Sequence, residues 1–186
     1  MNKTYEVRDP IHGFISYNSW ERDIINHPVF QRLRRIKQLS WTDMVYPGAM
    51  HTRFEHSLGV MHVATKMFDN IVERYKDVLK NELKFTDGGF ERDRALLRIA
   101  CLLHDVGHSP FSHAGEGLMQ GKADSSPYKH EDYSIAAIKY LLNDVIENNC
   151  LNENYGITAE DVADFIEGNP KRGIRLLWRE LLRDCP

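Results

Sequence analysis

The chemistry-bearing side chains of this 186-residue chain concentrate in one place: of nine histidines, His104, His108, His113 and His130 fall in a single central stretch. The densest part is Leu102-Leu103-His104-Asp105-Val106-Gly107-His108. Adjacent residues of a helix diverge by about 100°, but a neighbouring imidazole and carboxylate can still grip one ion lying beside the helix. One nitrogen and one oxygen donor suit a divalent ion of intermediate hardness (Mn, Fe, Ni, Co or Zn) better than Ca, which takes oxygen ligands. The alternative is a helix-terminal Asp that bonds locally beside a satisfied His. Taken by itself the pair fits that local reading better; position strengthens the ion, since a carboxylate at the end of the most apolar segment, Ile99 to Leu103, needs a metal or a cationic partner. His56, flanked by Phe54 and Leu58 in Arg53-Phe54-Glu55-His56-Ser57-Leu58-Gly59-Val60, is either a third ligand or a core histidine bonded to a carbonyl. His108, His113 and His130 are too many for one ion that keeps positions open for water and substrate. They suit phosphate contact, water orientation or protonation of a leaving group, and Glu131 stands ready to hold the His130 tautomer. For His113 and His130, simple surface exposure is the competing reading.

A basic run, Gln31-Arg32-Leu33-Arg34-Arg35-Ile36-Lys37-Gln38, reads either as a solvated helix face or as a contact for polyphosphate or nucleic acid. On a helix it would place Arg34 and Gln38 on one face. The whole-chain balance of 24 Lys+Arg against 27 Asp+Glu, net charge −3, excludes a protein built globally around nucleic acid or an anionic membrane. The three cysteines, Cys101, Cys150 and Cys185, form no Cys-x-x-Cys and support neither a disulfide framework nor a thiolate zinc site. The five-residue run Ile99 to Leu103 is far below the ~20 apolar residues of a membrane span, and Met1 to Glu6 lacks the apolar core of a signal peptide. A cytoplasmic protein with no membrane partner is expected.

The elements that must position these residues are almost all helical. Glu6 to Tyr17 alternates β-formers around Pro10 and Gly13 and predicts a hairpin. Helices are predicted over Trp20 to Asn26, Pro28 to Gln38, Arg53 to Tyr75 and Arg92 to Val106, the last apolar nearly all round and hence central. Tyr46 to Ala49 reads as a turn and Thr86 to Gly89 as a loop. Gly107 is expected to stop its helix in the left-handed conformation, and Ser109-Pro110 to start another. His130 to Asn143, Thr158 to Glu167 and Gly173 to Arg183 complete an all-α fold, with Thr158 and Asp161 as a capping box and Gly168 as a stop.

Four blocks, Asp9-Pro10-Ile11-His12-Gly13, Phe30 to Leu39, Arg53 to Val60 and His104 to His113, resemble in order and spacing the HD-domain deoxynucleoside triphosphate triphosphohydrolases. The likeness runs from Asp9 to about Ser134. It implies a single HD-domain helical bundle over residues 1–186 with a short N-terminal β-hairpin, and a divalent metal drawn from Mn, Fe, Mg, Ni, Co and Zn. The metal ligands would be His56, His104 and Asp105. His108, His113 and His130, the last with Glu131, would be catalytic, His113 giving its proton to the leaving deoxyribose oxygen. Arg53 would bind triphosphate oxygens, and Gln38 and Leu39 would meet the sugar. Gln31 and Arg34 match effector-binding positions, whereas Asn26 stands where the family's effector site has an Asp. The implied reaction converts a deoxynucleoside triphosphate to deoxynucleoside and inorganic triphosphate; other HD nucleotide hydrolysis, or nucleotide or nucleic-acid binding without turnover, is the alternative. Partners implied are the deoxynucleotide, a nucleotide effector and further copies of the chain. The family's later metal-binding Asp segment has no match before Pro186, Asp184 being the nearest carboxylate, so the chain is expected to lack the family's C-terminal part.

Overall fold

The structure, a computed structural model, describes residues 3–111, 115, 127–168 and 178–183. Strands β1 (Tyr5–Asp9) and β2 (Gly13–Tyr17) pair antiparallel in the register Tyr5 to Tyr17 and Asp9 to Gly13. The turn is held by Asp9, whose Oδ1 accepts the amides of Ile11 (2.9 Å) and His12 (2.8 Å). Helices follow: α1 (Ser19–Asn26), α2 (Pro28–Gln31), α3 (Arg53–Asn81), α4 (Asp87–Leu103), α5 (His130–Tyr140), α6 (Asn143–Glu147), α7 (Ala159–Glu167) and α8 (Arg179–Arg183). Among the described residues no helix is long and apolar enough to cross a membrane.

The expected all-α bundle with an N-terminal hairpin is present, with revised boundaries. Helix α2 stops at Gln31 and continues only as a 3-10 turn, Arg32–Arg35. The reason is a backbone bridge: Arg53 N donates to Ile36 O (2.9 Å) and Gln38 N to His51 O (3.0 Å), pairing Lys37 with Thr52 and drawing Ile36 into extended conformation. Arg34 and Gln38 therefore share no helix face. Thr86 to Gly89 is not a loop. Thr86 Oγ1 accepts the Gly89 amide (3.0 Å) as the N-cap of α4, and Asp87 meets Lys80 (2.6 Å) at the start of that helix. Helix α3 runs on past Tyr75, where the backbone kinks (φ −119, ψ 20). The segment from His130 breaks at Leu141 into α5 and α6. Residues 109–111 form no helix, and the segment predicted from Gly173 is described only over 178–183. Thr158, Asp161 and Gly168 (φ 83) cap α7 as expected.

Helix α4 is the axis of the core: Leu96 through Leu103 are all buried, enclosed by α3, α7 and α8. Within that apolar wall sits Arg98, 8% exposed, which fastens four elements. Its guanidinium donates to Glu21 of α1 (2.8 Å), to Thr65 Oγ1 of α3 (2.9 Å) and to the Ser16 carbonyl of β2 (3.0 Å). Glu21 is 2% exposed and also accepts the Asn18 amide (2.9 Å), so one carboxylate caps α1 and neutralises the core arginine. Leaving either charge alone in the interior is costly. Arg98→Met is expected to lower the unfolding free energy by about 3–5 kcal/mol, as is Glu21→Leu, with the double variant losing much less than the sum, measured by urea denaturation.

Candidate metal centre

Helix α4 ends at Leu103, and His104 to Gly107 form the turn that follows. The end of a fully buried helix therefore delivers Asp105, 3% exposed, into the interior. Five side chains meet it. Arg53, in the first turn of α3, donates Nη1 to Asp105 Oδ2, and His56 Nε2, one α3 turn later, lies 3.6 Å from the same oxygen. On Oδ1 converge Nε2 of His104 (3.4 Å), of His108 (3.4 Å) and of His130 (3.9 Å). Two groups of donor atoms are close enough to hold a cation, His56 with His104 and Asp105, and Asp105 with His108 and His130.

Tautomers and charge fit the first group to a metal. His104 Nδ1 lies 2.8 Å from the Cys101 carbonyl, an acceptor that can only be met by N–H, so Nε2 is the ring nitrogen turned to the site. Burial, followed by the proximity of His104, pushes His56 down to about 4, leaving it neutral near pH 7. Burial alone would raise the Asp105 pKa, but the hydrogen bond from His108 and the nearby His104 and Arg53 outweigh it, holding the carboxyl ionised below its usual range. Burial likewise lowers His108, with Asp105 pulling the other way. Two imidazole nitrogens and one carboxylate are a donor set for a borderline divalent ion.

The surrounding shell is built by residues whose roles do not show in their sequence neighbourhoods. Ser134 of α5 donates to the His104 carbonyl (2.7 Å) and accepts the Gly107 amide (2.9 Å). Gly107 has no left-handed φ, contrary to expectation. It is needed for space: a Cβ there would lie 2.2 Å from the Ser134 amide and 2.4 Å from the His130 carbonyl. That close approach seats α5 on the turn, stacking His130 against His108 with ring centroids 3.8 Å apart. Arg32, which reads in the sequence as part of a basic surface, points inward and donates to the Val106 and His108 (2.8 Å) carbonyls. An arginine in a basic run gives no sign that its partners are backbone carbonyls 74 and 76 residues away.

Of the other predicted site residues, Glu131 Oε2 lies 3.4 Å from His130 Nδ1. Arg53 is 2% exposed and engaged with Asp105. Gln38 is half-buried beside His51, and Leu39 is exposed. Gln31 and Arg34 are brought together: Gln31 donates to the Ile25 carbonyl (2.7 Å) and accepts from Arg34 (2.8 Å), whose guanidinium covers the Phe54 ring. His113 and Asp184 lie outside the described residues.

A helical bundle that closes a His-Asp pair at a helix end against a histidine of a preceding helix defines a class, and residues 53–182 match the HD domain family; the chain belongs to that family. Within it, the chain is similar to proteins named deoxynucleoside triphosphate triphosphohydrolase SAMHD1: it is 39% identical to the Dictyostelium discoideum homolog over 87% of this chain and 29% of that protein, 41% to that of Mus musculus (86% and 23%) and 40% to that of Gallus gallus (86% and 24%). The chain thus spans roughly a quarter of these relatives' length.

Two outcomes are expected. Gly107→Ala forces α5 away from the turn and lowers the melting temperature by several degrees, while Ser134→Ala, which keeps the approach but removes two hydrogen bonds, costs about 1–3 kcal/mol. For metal-free protein, His56 folded near 4 against 6.5 in the unfolded chain means that the unfolded state binds the extra proton between those values. Its contribution is complete above pH 6.5 and lost as pH falls toward 4, about 2 kcal/mol between pH 7 and 4.5. Urea titrations of wild type and His56→Gln at both pH values read it as a shallower slope in the variant.

Proposed function

We propose that the protein hydrolyses 2′-deoxynucleoside 5′-triphosphates to the deoxynucleoside and inorganic triphosphate, using a divalent cation held by His56, His104 and Asp105. The observation that supports this most is the convergence of those three donors beside a second, stacked pair of imidazoles. A divalent cation there supplies Lewis acidity, acidifying water and offsetting charge that builds on a phosphoryl oxygen. Water adds to the α-phosphorus, the bond from phosphorus to the 5′-oxygen breaks, and that oxygen takes up a proton.

The chain's own residues do the rest. The His108–His130 pair lies beside Asp105, where a phosphate bound at the ion would meet it. His130, oriented by Glu131 at its Nδ1, takes the proton released by the attacking water. His113 is assigned proton donation to the leaving 5′-oxygen by the family resemblance alone. Gln38 and Leu39 contact the sugar. Arg53 acts through Asp105, keeping the carboxylate ionised and aimed, and is assigned contact with triphosphate oxygens by the family resemblance. Leu39, Trp41, Met44, Val45 and Tyr46 leave apolar surface exposed beside this region, which supports assembly of several copies.

Purified protein loaded in turn with Mn, Fe, Mg, Ni, Co and Zn is expected to release triphosphate from a dNTP, read by chromatography of both products. His104→Ala and Asp105→Asn are expected to lose bound metal, read by elemental analysis, and at least about a hundredfold in rate. Release of monophosphate or pyrophosphate instead would overturn the triphosphohydrolase reading and leave an HD phosphohydrolase of another specificity.

A further inference from the structure

The chain after α2 is tied at two points to the chain after α4. The first tie is polar: Arg32 donates to the Val106 and His108 carbonyls. The second is aromatic: Trp41 stacks on Phe111, with ring centroids 5.4 Å apart and planes 16° from parallel. Trp41 is 58% and Phe111 45% exposed, so neither ring belongs to the core. Their contact joins two surface segments that lie 70 residues apart in the sequence.

The loop that carries Trp41 is held by its own hydrogen bonds. The Lys37–Thr52 bridge closes its ends, and Lys37 Nζ meets Asp43 Oδ2 (2.5 Å) inside it. The Thr42 amide donates to the Leu39 carbonyl (3.0 Å), the Met44 amide to the Trp41 carbonyl (3.0 Å) and the Tyr46 amide to the Thr42 carbonyl (2.8 Å). Ser40, just before Trp41, is left-handed (φ 52), a conformation that a serine keeps only where its surroundings impose it. Trp41 thus stands on a fixed mount. Phe111 stands three residues beyond His108 and directly after Pro110, which has no amide to donate. Of the two segments, the loop is the one built to position the other.

Each ring lies close in the chain to a group with a part in the proposed reaction. Trp41 follows Leu39 by two residues, on the segment assigned to the sugar, and Phe111 follows His108, on the segment assigned to the phosphate. We infer that Trp41 is a positioning residue: through Phe111 it holds the segment leaving His108 in register with the Gln38–Leu39 segment, so that sugar and phosphate meet one rigid wall. This rests on the proposed nucleotide reaction and adds the contact that keeps its two grips aligned. An aromatic pair of this kind shifts a population about two- to tenfold. That is enough to change a rate that depends on alignment and too little to decide whether the bundle folds.

Two measurements test it without turnover. In protein labelled with fluorotryptophan, Trp41→Phe identifies the fluorine signal of Trp41 among those of the three tryptophans, and Phe111→Ala is expected to move that signal and leave those of the buried Trp20 and Trp178 in place. Trp41→Ala is expected to speed amide hydrogen exchange over residues 108–111 about two- to tenfold, with exchange in α4 and the melting temperature unchanged. In the reaction, Trp41→Ala and Phe111→Ala are each expected to lower kcat for dNTP about five- to tenfold with KM and metal content unchanged. The double variant is expected to lose no more than either single one, and Trp41→Phe, which keeps a stacking ring, to retain at least about half the rate. Unchanged exchange over 108–111 in Trp41→Ala, or losses of kcat that multiply in the double variant, overturns the proposal. A rise in KM with kcat intact overturns it in favour of direct substrate contact by Trp41, and a loss of rate that tracks a change of oligomeric state by light scattering does so in favour of a contact between copies. Triphosphate release with kcat unaltered in both single variants overturns the positioning role and leaves the reaction standing. Exchange over 108–111 that quickens in Trp41→Ala, with no triphosphate released by wild type, leaves the joint between the segments standing and removes the reaction.

Discussion

Everything near the centre of this protein answers to one carboxylate. Asp105 is carried inward by the end of a helix whose last eight residues are buried, so it cannot reach water to be solvated. An isolated carboxylate in such a place would take up a proton or unfold the site. Instead Arg53 and His56 come from the start of α3, His104 from the turn, His108 from the residue after it and His130 from the start of α5. The mutual placement of α3, α4 and α5 is thus the arrangement that keeps one buried negative charge compensated, and the chemistry proposed for the site uses the same groups.

Much of this is legible in the sequence because it is local or periodic. The apolar run from Ile99 to Leu103 at the end of the Arg92–Val106 segment identifies a central helix, and the adjacency of His104 and Asp105 just after it identifies where a charge has been forced inside. Thr158, Asp161 and Gly168 announce α7 because caps are read within three or four residues. The departures have the opposite character. Pro28 to Gln38 has helical periodicity, yet its second half is claimed by residues 51–53, a backbone partner invisible from the segment itself. Thr86 to Gly89 is rich in loop-formers, yet Thr86 is the acceptor that starts a helix.

The same distinction separates the two shells of the site. Groups touching Asp105 are unusual residue types in an unusual place, so they advertise themselves. Groups that hold the turn, Arg32, Ser134 and Gly107, are ordinary in type and act on main-chain atoms. Gly107 looks necessary in the sequence for a reason that differs from the true one. Its neighbours suggest a helix stop, and only the packing of α5 reveals that the missing atom is what matters. Arg32 reads as an outside residue because it stands in one basic run with Arg34 and Arg35, and those two are indeed exposed.

The contact between Arg53 and Asp105 also changes what kind of metalloprotein this would be. In small zinc-stabilised domains the ion is the keystone, and the chain collapses when it is withdrawn. Here a guanidinium already stands at the carboxylate, so the negative charge has a resident counter-ion before any cation arrives. The folded bundle would then not depend on an ion to compensate this charge, and an ion bound at His56, His104 and Asp105 would add its binding free energy to a fold that already stands.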